Sequence, residues 1–454
     1  MNNKDRGSAL YNSRWLVFLP LMLMLGCASK GVVENIPKAT IKDHLAFNES
    51  EQKRQQNSEK PPPVVILLAF SGGGHRAAAL SYGVLDALRK TKLQQGKTER
   101  LLDYVDTISA VSGGSFTAAY YGLVGDKIFT DYKANFLSKD LQSELIGGIY
   151  TIPQLFSEKG RSEVMIKLLD ESLFHGAKIA EINQLNKPTV ILNASDLGGG
   201  VRLSFLQNYF DLLCSDVGSF SVARAVVASA AVPLVFSPIA LENFDQCGAG
   251  SPKWLKTARN RLADNEEMSL VIEGLASFGD KEKRRYIHLV DGGITDNLGL
   301  RAVYENVELS GGIESAVRGS EGAIPQRIVV ISVDASTKLD VAMDQSLDEP
   351  SVLESLNSIT DVQLHRYNAS TLTLFEKEVN DWAETLSTKS RPVNAYFINV
   401  SLQEIKDLDQ RQYFNNIPTS LSLEPQQLEQ LISAGQSLLY AHPEFKKLQA
   451  DLIE

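Results

Sequence analysis

Cysteine is scarce in this chain, three in 454 residues. That excludes a disulfide-stapled mini-scaffold and a four-cysteine zinc site. Positive charge is the minority: 45 Lys and Arg stand against 55 Asp and Glu, for a net charge of −10. A nucleic-acid backbone and an anionic lipid surface both call for the opposite balance, so no nucleic-acid partner is expected and a polybasic membrane patch is disfavoured. What is present is ordinary. Hydrophobic residues make up 43% and charged residues 22%, which excludes wholesale disorder and collagen-like fibre and suffices for a full-sized core.

The N-terminus has the composition of an address. Lys4, Arg6 and Arg14 precede an apolar run from Trp15 to Leu25, followed by Gly26-Cys27-Ala28-Ser29. A basic start, a short apolar stretch and a small residue at the cut describe a secretory signal, and the run is too short for a membrane span, which needs about 20 residues. The alternative, a buried apolar N-terminal helix, lacks a cap. Leu23-Met24-Leu25-Gly26-Cys27 resembles a bacterial lipoprotein signal, with Met24 where such signals usually have Leu. The resemblance implies that residues 1–26 are removed and that Cys27 is lipidated. Ala28 and Ser29 resemble outer-membrane sorting, so the expected location is the bacterial cell envelope, lipid-anchored at the outer membrane. Cleavage would remove three cations and one anion, and acyl chains on Cys27 would supply the membrane affinity that an acidic protein lacks.

Residues 27–62 read as a polar tether, since Asn48 to Lys60 almost lacks large apolar side chains and Pro61-Pro62-Pro63 ends it. Export also bears on Cys214 and Cys247. In an oxidising compartment they either pair, closing a loop worth about 3–4 kcal/mol in the chain-entropy model, or stay as two separate buried thiols.

After Pro63 the pattern is α/β. Val64 to Phe70 is an unbroken apolar run between proline and glycine, as a buried parallel strand requires. Ala77, Leu80, Val84, Ala87 and Leu88 then recur at helical spacing. Tyr104 to Val111, Thr189 to Ala194, Ile287 to Val290 and Arg327 to Val333 are further strand-like runs, and Ser115 to Leu123 reads as a helix. Strands alternating with helices imply a central, mostly parallel sheet flanked by helices, with ligands beyond the carboxyl ends of the strands. The turns after Phe70, Val111 and Val290 should all lie at such ends. Residues 336–454 read as a helical extension packed on this core: Val352 to Glu384 favours helix, and Leu428, Leu431, Ile432, Leu438 and Leu439 form a stripe behind Pro425.

Three turns carry the chemistry. In Ser71-Gly72-Gly73-Gly74-His75-Arg76, glycines between strand and helix turn backbone N–H groups inward, which makes an anion site or an oxyanion hole. The alternatives are a close-packed structural turn and a dinucleotide turn; for the latter the expected acidic residue about 20 positions on is missing, and no Gly-Lys-Ser/Thr makes it a phosphate-binding P-loop. In Ala110-Val111-Ser112-Gly113-Gly114, a serine flanked by small residues between strand and helix has the layout of a nucleophile elbow, with Ala110 in place of its first glycine. Ser109 would lie inside the strand and Ser115 inside the helix, so Ser112 is favoured. In Val290-Asp291-Gly292-Gly293, an apolar strand delivers a carboxylate, either as an Asx-turn or as an acid–base group with a raised pKa.

Together these turns resemble the patatin-like phospholipases, over roughly residues 63–335. The resemblance assigns the oxyanion turn to Gly72, Gly73, Gly74 and Arg76, the nucleophile to Ser112 and its partner to Asp291; Ala77 stands where a glycine often follows the arginine. Arg224 to Pro233 is similar to the family's Ala/Ser-rich helix leading to a proline, and Ile417-Pro418-Thr419-Ser420 to extensions on bacterial members. What it implies is a patatin-like layered fold and a lipid acyl hydrolase of phospholipase A type. Such an enzyme cleaves carboxylic esters of membrane phospholipid or another acyl-ester lipid through a Ser–Asp dyad and an acyl-enzyme, with no metal or other cofactor. In that reading Arg76 braces the loop or pairs with a lipid phosphate. A Ser-Asp-His triad of α/β-hydrolase type would have to use His365 or His442, both in polar helical sequence. His75 should point out of its turn, and His288 sits in a strand. A catalytically silent lipid-binding or scaffold lipoprotein is opposed by the intact Ser112, Asp291 and triple glycine.

Overall fold

Strands that read as unbroken apolar runs need both faces of their sheet covered. The computed structural model meets that need; it describes residues 31–41, 62–93, 98–151, 160–184, 188–233, 235–248, 252–319, 324–338, 347 and 349–453. Its strands are β1 (Ile36–Pro37), β2 (Val65–Phe70), β3 (Val105–Val111), β4 (Thr189–Asp196), β5 (Val201–Ser204), β6 (Ser215–Asp216), β7 (Ile239–Glu242), β8 (Tyr286–Asp291), β9 (Arg327–Asp334) and β10 (Asn394–Ser401). One eight-stranded sheet runs in the order β10-β9-β2-β3-β4-β8-β7, with β5 paired to β4 off that path. β10, β9, β2, β3 and β4 are parallel, and β5 and β8 run antiparallel to β4. The fold is therefore mixed α/β, with a mostly parallel sheet between helices.

One expectation about this sheet is corrected. β8 is not a parallel strand. β4 continues past the end of β3, where Val111 pairs with Asn193, and its last residues Ala194 to Asp196 lie between antiparallel β5 and β8. β8 descends along this overhang and ends with Asp291 opposite Ala194. Asp291 thus reaches the carboxyl edge of the parallel strands from outside it.

The C-terminal part is also more than a helical extension. Residues Asn394 to Ser401 form β10, which pairs in parallel with all of β9 and closes that edge of the sheet. Tyr396, Ile398 and Val400 are buried while Ala395, Phe397 and Asn399 are half-buried, the alternation of an edge strand. The helix Pro425–Ala441 buries Leu428, Leu431, Ile432 and Leu439 against the helix Gly74–Lys90. Their backbones meet at two glycines: a Cβ on Gly83 would stand 2.3 Å from Ile432 O, and one on Gly435 2.5 Å from Leu80 O.

Residues 1–30, with the signal and Cys27, lie outside the described residues, as do 42–61. Residues 31–41 are described, and they are not tether. β1 pairs antiparallel with β6. The buried Asn35 donates to Ser215 Oγ at 3.1 Å and to Glu242 O at 2.9 Å, and Lys38 N–H donates to Cys214 O at 2.7 Å. Glu34 and Glu163 both pair with the buried Arg224, at 2.8 and 2.7 Å. These residues form a strap, because every polar group they bury finds a partner on the domain. Cys214 and Cys247 form a disulfide with a Cα–Cα distance of 5.3 Å, so strap and staple meet at one residue.

Candidate active site

The serine turn is shaped by backbone. Ser112 has φ 48° and ψ −122°, a conformation that costs a non-glycine residue about 1–3 kcal/mol and persists only where its surroundings enforce it. Three contacts enforce it. Ser112 N–H donates to Ser229 Oγ at 2.9 Å, Ser229 Oγ donates to Asn193 O at 2.6 Å, and Ser115 Oγ lies 2.8 Å from Ser229 Oγ. The following glycines are set by close approach: a Cβ on Gly113 would stand 2.1 Å from Gly74 O, and one on Gly114 2.6 Å from Phe70 Cβ. Ala110 needs no glycine, since it is an ordinary buried residue of β3 paired to Phe70 and Leu192.

Ser112 Oγ donates to Asp291 Oδ2 at 2.7 Å, and Gly293 N–H donates to Asp291 Oδ1 at 2.7 Å. Both side chains are buried at the end of a cavity of about 2140 Å³. Burial pushes the Asp291 carboxyl up to about 6, against the pull of the Gly293 amide and the Ser112 hydroxyl. Its backbone is held as well, Asp291 N–H on Ala231 O at 2.9 Å and Gly292 N–H on Ser229 O at 3.0 Å.

The glycine turn stands beside the serine. Gly72 N–H is committed to Asn297 O at 3.0 Å, and His75 N–H to Ser420 O at 2.9 Å. Between them Gly73 and Gly74, with φ 133° and 59°, have amides with no protein acceptor among the described residues. Gly72 is therefore a spacer, not a free donor: a Cβ there would stand 2.6 Å from Asn297 Oδ1. Arg76 is buried. It donates to Ala335 O at 2.9 Å and to Thr419 Oγ1 at 3.2 Å, and it also bonds Ile417 O. Its guanidinium ties the turn to the C-terminal loop 417–420, which packs directly on Gly74. Of the two roles open to Arg76, this geometry is that of the brace.

Among the described residues no histidine is hydrogen-bonded to Ser112 or Asp291. His75 points out of its turn and stacks on Phe136 at 4.7 Å, and burial lowers its pKa to about 4. His365 lines the cavity from the helix Val352–Leu386. His442 caps the last helix, accepting Glu444 N–H on Nδ1 at 3.2 Å, and His288 is exposed on β8. No group of three or more potential metal ligands occurs among the described residues, and no helix among them is long and apolar enough to cross a membrane.

Ser229, Asn193 and Asn297 were not singled out by sequence. Ser229 lies within the Ala/Ser-rich segment, but nothing in that segment separates its hydroxyl from its neighbours. Asn297 follows the Asp291 turn by six positions, and its contribution to the glycine turn is a carbonyl, which any residue carries.

A family model for patatin-like phospholipase matches residues 68–304. Among solved structures, human GIVD cytosolic phospholipase A2 matches at 11% identity with a TM-score of 0.40, over 94% of this chain and 66% of that one. The same human enzyme in complex with methyl γ-linolenyl fluorophosphonate matches at 12% identity with a TM-score of 0.33, over 90% of this chain and 63% of that one. The chain thus spans just under two thirds of the length of these structures. No curated protein matches it.

Proposed function

The chain belongs to the patatin-like phospholipase family, and on that premise we propose that it is a lipid acyl hydrolase of phospholipase A type, working through a Ser112–Asp291 dyad. The observation that carries this reading is the 2.7 Å bond from Ser112 Oγ to a buried Asp291 carboxylate, made beside the two amides of Gly73 and Gly74. Asp291 takes the hydroxyl proton as Ser112 Oγ attacks the ester carbonyl. The oxyanion forms against the Gly73 and Gly74 N–H groups; losing one such donor typically costs about 10²–10³ in rate. As the tetrahedral intermediate collapses, Asp291 returns the proton to the leaving alcohol and the acyl group stays on Ser112. Water then attacks the acyl-enzyme as Asp291 takes its proton; Asp291 returns that proton to Ser112 Oγ as the acyl–oxygen bond breaks, and the fatty acid leaves.

The reading extends to location: export, cleavage before Cys27 and acylation of that cysteine would hold the enzyme at the bacterial outer membrane, beside its substrates. Release of fatty acid from phospholipid vesicles tests the activity. Wild type should release it and Ser112→Ala should not; equal release by both would end the proposal. Fractionation tests the anchor. Cys27→Ala should leave an unlipidated precursor or a soluble form, and an unchanged membrane fraction would contradict it.

A further inference from the structure

Six of the fourteen large hydrophobic side chains that stand exposed among the described residues gather at one opening. Ile146, Val232, Val235, Leu270, Ile294 and Ile359 are each between 38 and 66% exposed, and all line the mouth of the cavity that ends at Ser112 and Asp291. They come from separate places: the helix Leu141–Thr151, the loop after the helix Val222–Ser229, the helices Glu266–Ala276 and Gly293–Asp296, and the helix Val352–Leu386. Five segments converging on one apolar rim is not the chance exposure of a single side chain, and contiguous exposed apolar surface marks an interaction site.

The charges around the rim narrow the partner. Asp264, Glu266 and Asp361 are exposed at the same mouth, beside Glu267, which is ion-paired with Arg301, against one exposed guanidinium, Arg161. An anionic lipid surface attracts basic segments and repels this set. A surface whose headgroups carry an amine beside the phosphate places positive charge where these carboxylates stand.

We infer that the apolar rim is a docking face for a bilayer of zwitterionic, amine-bearing headgroups, and that the cavity draws its ester from that bilayer. The substrate half of this inference rests on the hydrolase reading above; the docking half does not. Apolar rim side chains at the acyl boundary would sit about 5–10 Å into the interface.

The test uses the full, anchored chain in a Ser112→Ala background, so that the vesicles stay intact. Leu270→Cys and Ile359→Cys are labelled singly with a polarity-sensitive dye, with Leu408→Cys, exposed and away from the mouth, as the reference. On vesicles of phosphatidylethanolamine and phosphatidylcholine, both rim dyes should shift to the blue and be quenched by lipids brominated near the headgroup, as for groups at that depth. The dye at 408 should stay aqueous, and on phosphatidylglycerol vesicles the rim dyes should be quenched less. Should a labelled rim variant not fold, Ile294→Cys is read in the same way. Rim dyes that remain aqueous on the zwitterionic vesicles would overturn the inference. So would quenching at 408 equal to that at the rim, stronger quenching on phosphatidylglycerol, or a blue shift that needs protein concentration and no lipid. Because the readout needs no turnover, a chain that docks but fails to hydrolyse ester would sink the hydrolase reading and leave the docking face standing.

Discussion

Ser229 accepts the backbone N–H of Ser112 on its Oγ at 2.9 Å and donates its own hydroxyl to Asn193 O at 2.6 Å. A hydroxyl on a packed helix thus holds the serine turn in its left-handed backbone. Ser229→Ala leaves the Ser112 amide without that acceptor, a loss of about 1–3 kcal/mol. It also frees the turn to relax, and misplacing a reacting atom by 1 Å costs about 10²-fold. We expect kcat to fall on that scale with KM little changed, measured by steady-state hydrolysis of a monomeric ester and by thermal unfolding. A wild-type kcat would remove Ser229 from this role.

In the proposed dyad, Asp291 sets the acid limb of the pH profile. Its carboxyl must be ionised to accept the Ser112 proton, and burial raises it to about 6. kcat/KM should therefore climb with pH and level off above about 6. The linkage to stability has the opposite sense. Between the ordinary carboxylate value and 6, the folded protein holds a proton that the unfolded chain has released, so this group's contribution to stability falls as pH rises through that window. Asp291→Asn should abolish hydrolysis and remove that slope from the unfolding free energy. A profile centred near 4, or one unchanged in Asp291→Asn, would contradict the assignment.

The sequence made the nucleophile turn, the carboxylate turn and the glycine turn legible because each is a strand-end pattern of small residues around one reactive group. Four of the five parallel strands were legible as apolar runs, since burial on both faces leaves no alternation to misread. The direction of β8 was not. Ile287 to Val290 is apolar whichever way it runs, and only the overhang of β4 decides it. β10 escaped because it is an edge strand with polar residues at both ends. The strap escaped because burying Asn35 depends on partners 180 and 207 residues away, at Ser215 and Glu242.

Arg76 distinguishes a brace from a phosphate ligand. Its three bonds run to Ala335, Ile417 and Thr419, and all three position the glycine turn. Arg76→Gln should lower kcat on phospholipid and on a neutral ester by the same factor, because the Gly73 and Gly74 amides, the proposed oxyanion donors, move for both. A loss confined to the phosphate-bearing substrate would make Arg76 a headgroup ligand instead.

The disulfide joins Cys214, whose carbonyl receives the strap, to Cys247. Peptide mapping without reductant should recover the linked pair. Reduction should lower stability by about 3–4 kcal/mol in the chain-entropy model, read by denaturant unfolding. Two freely alkylated thiols in the native protein would contradict the pairing.

The central claim is that Ser112 is the nucleophile and Asp291, with no histidine, its base. Labelling with an alkyl fluorophosphonate, followed by peptide mass mapping, tests it most directly. The account predicts one adduct, on the peptide carrying Ser112. It should be absent in Ser112→Ala, strongly slowed in Asp291→Asn, and formed at the wild-type rate in His365→Ala and His442→Ala. An adduct on another residue, or its loss in either histidine variant with the fold intact, would contradict the account and put a triad in place of the dyad.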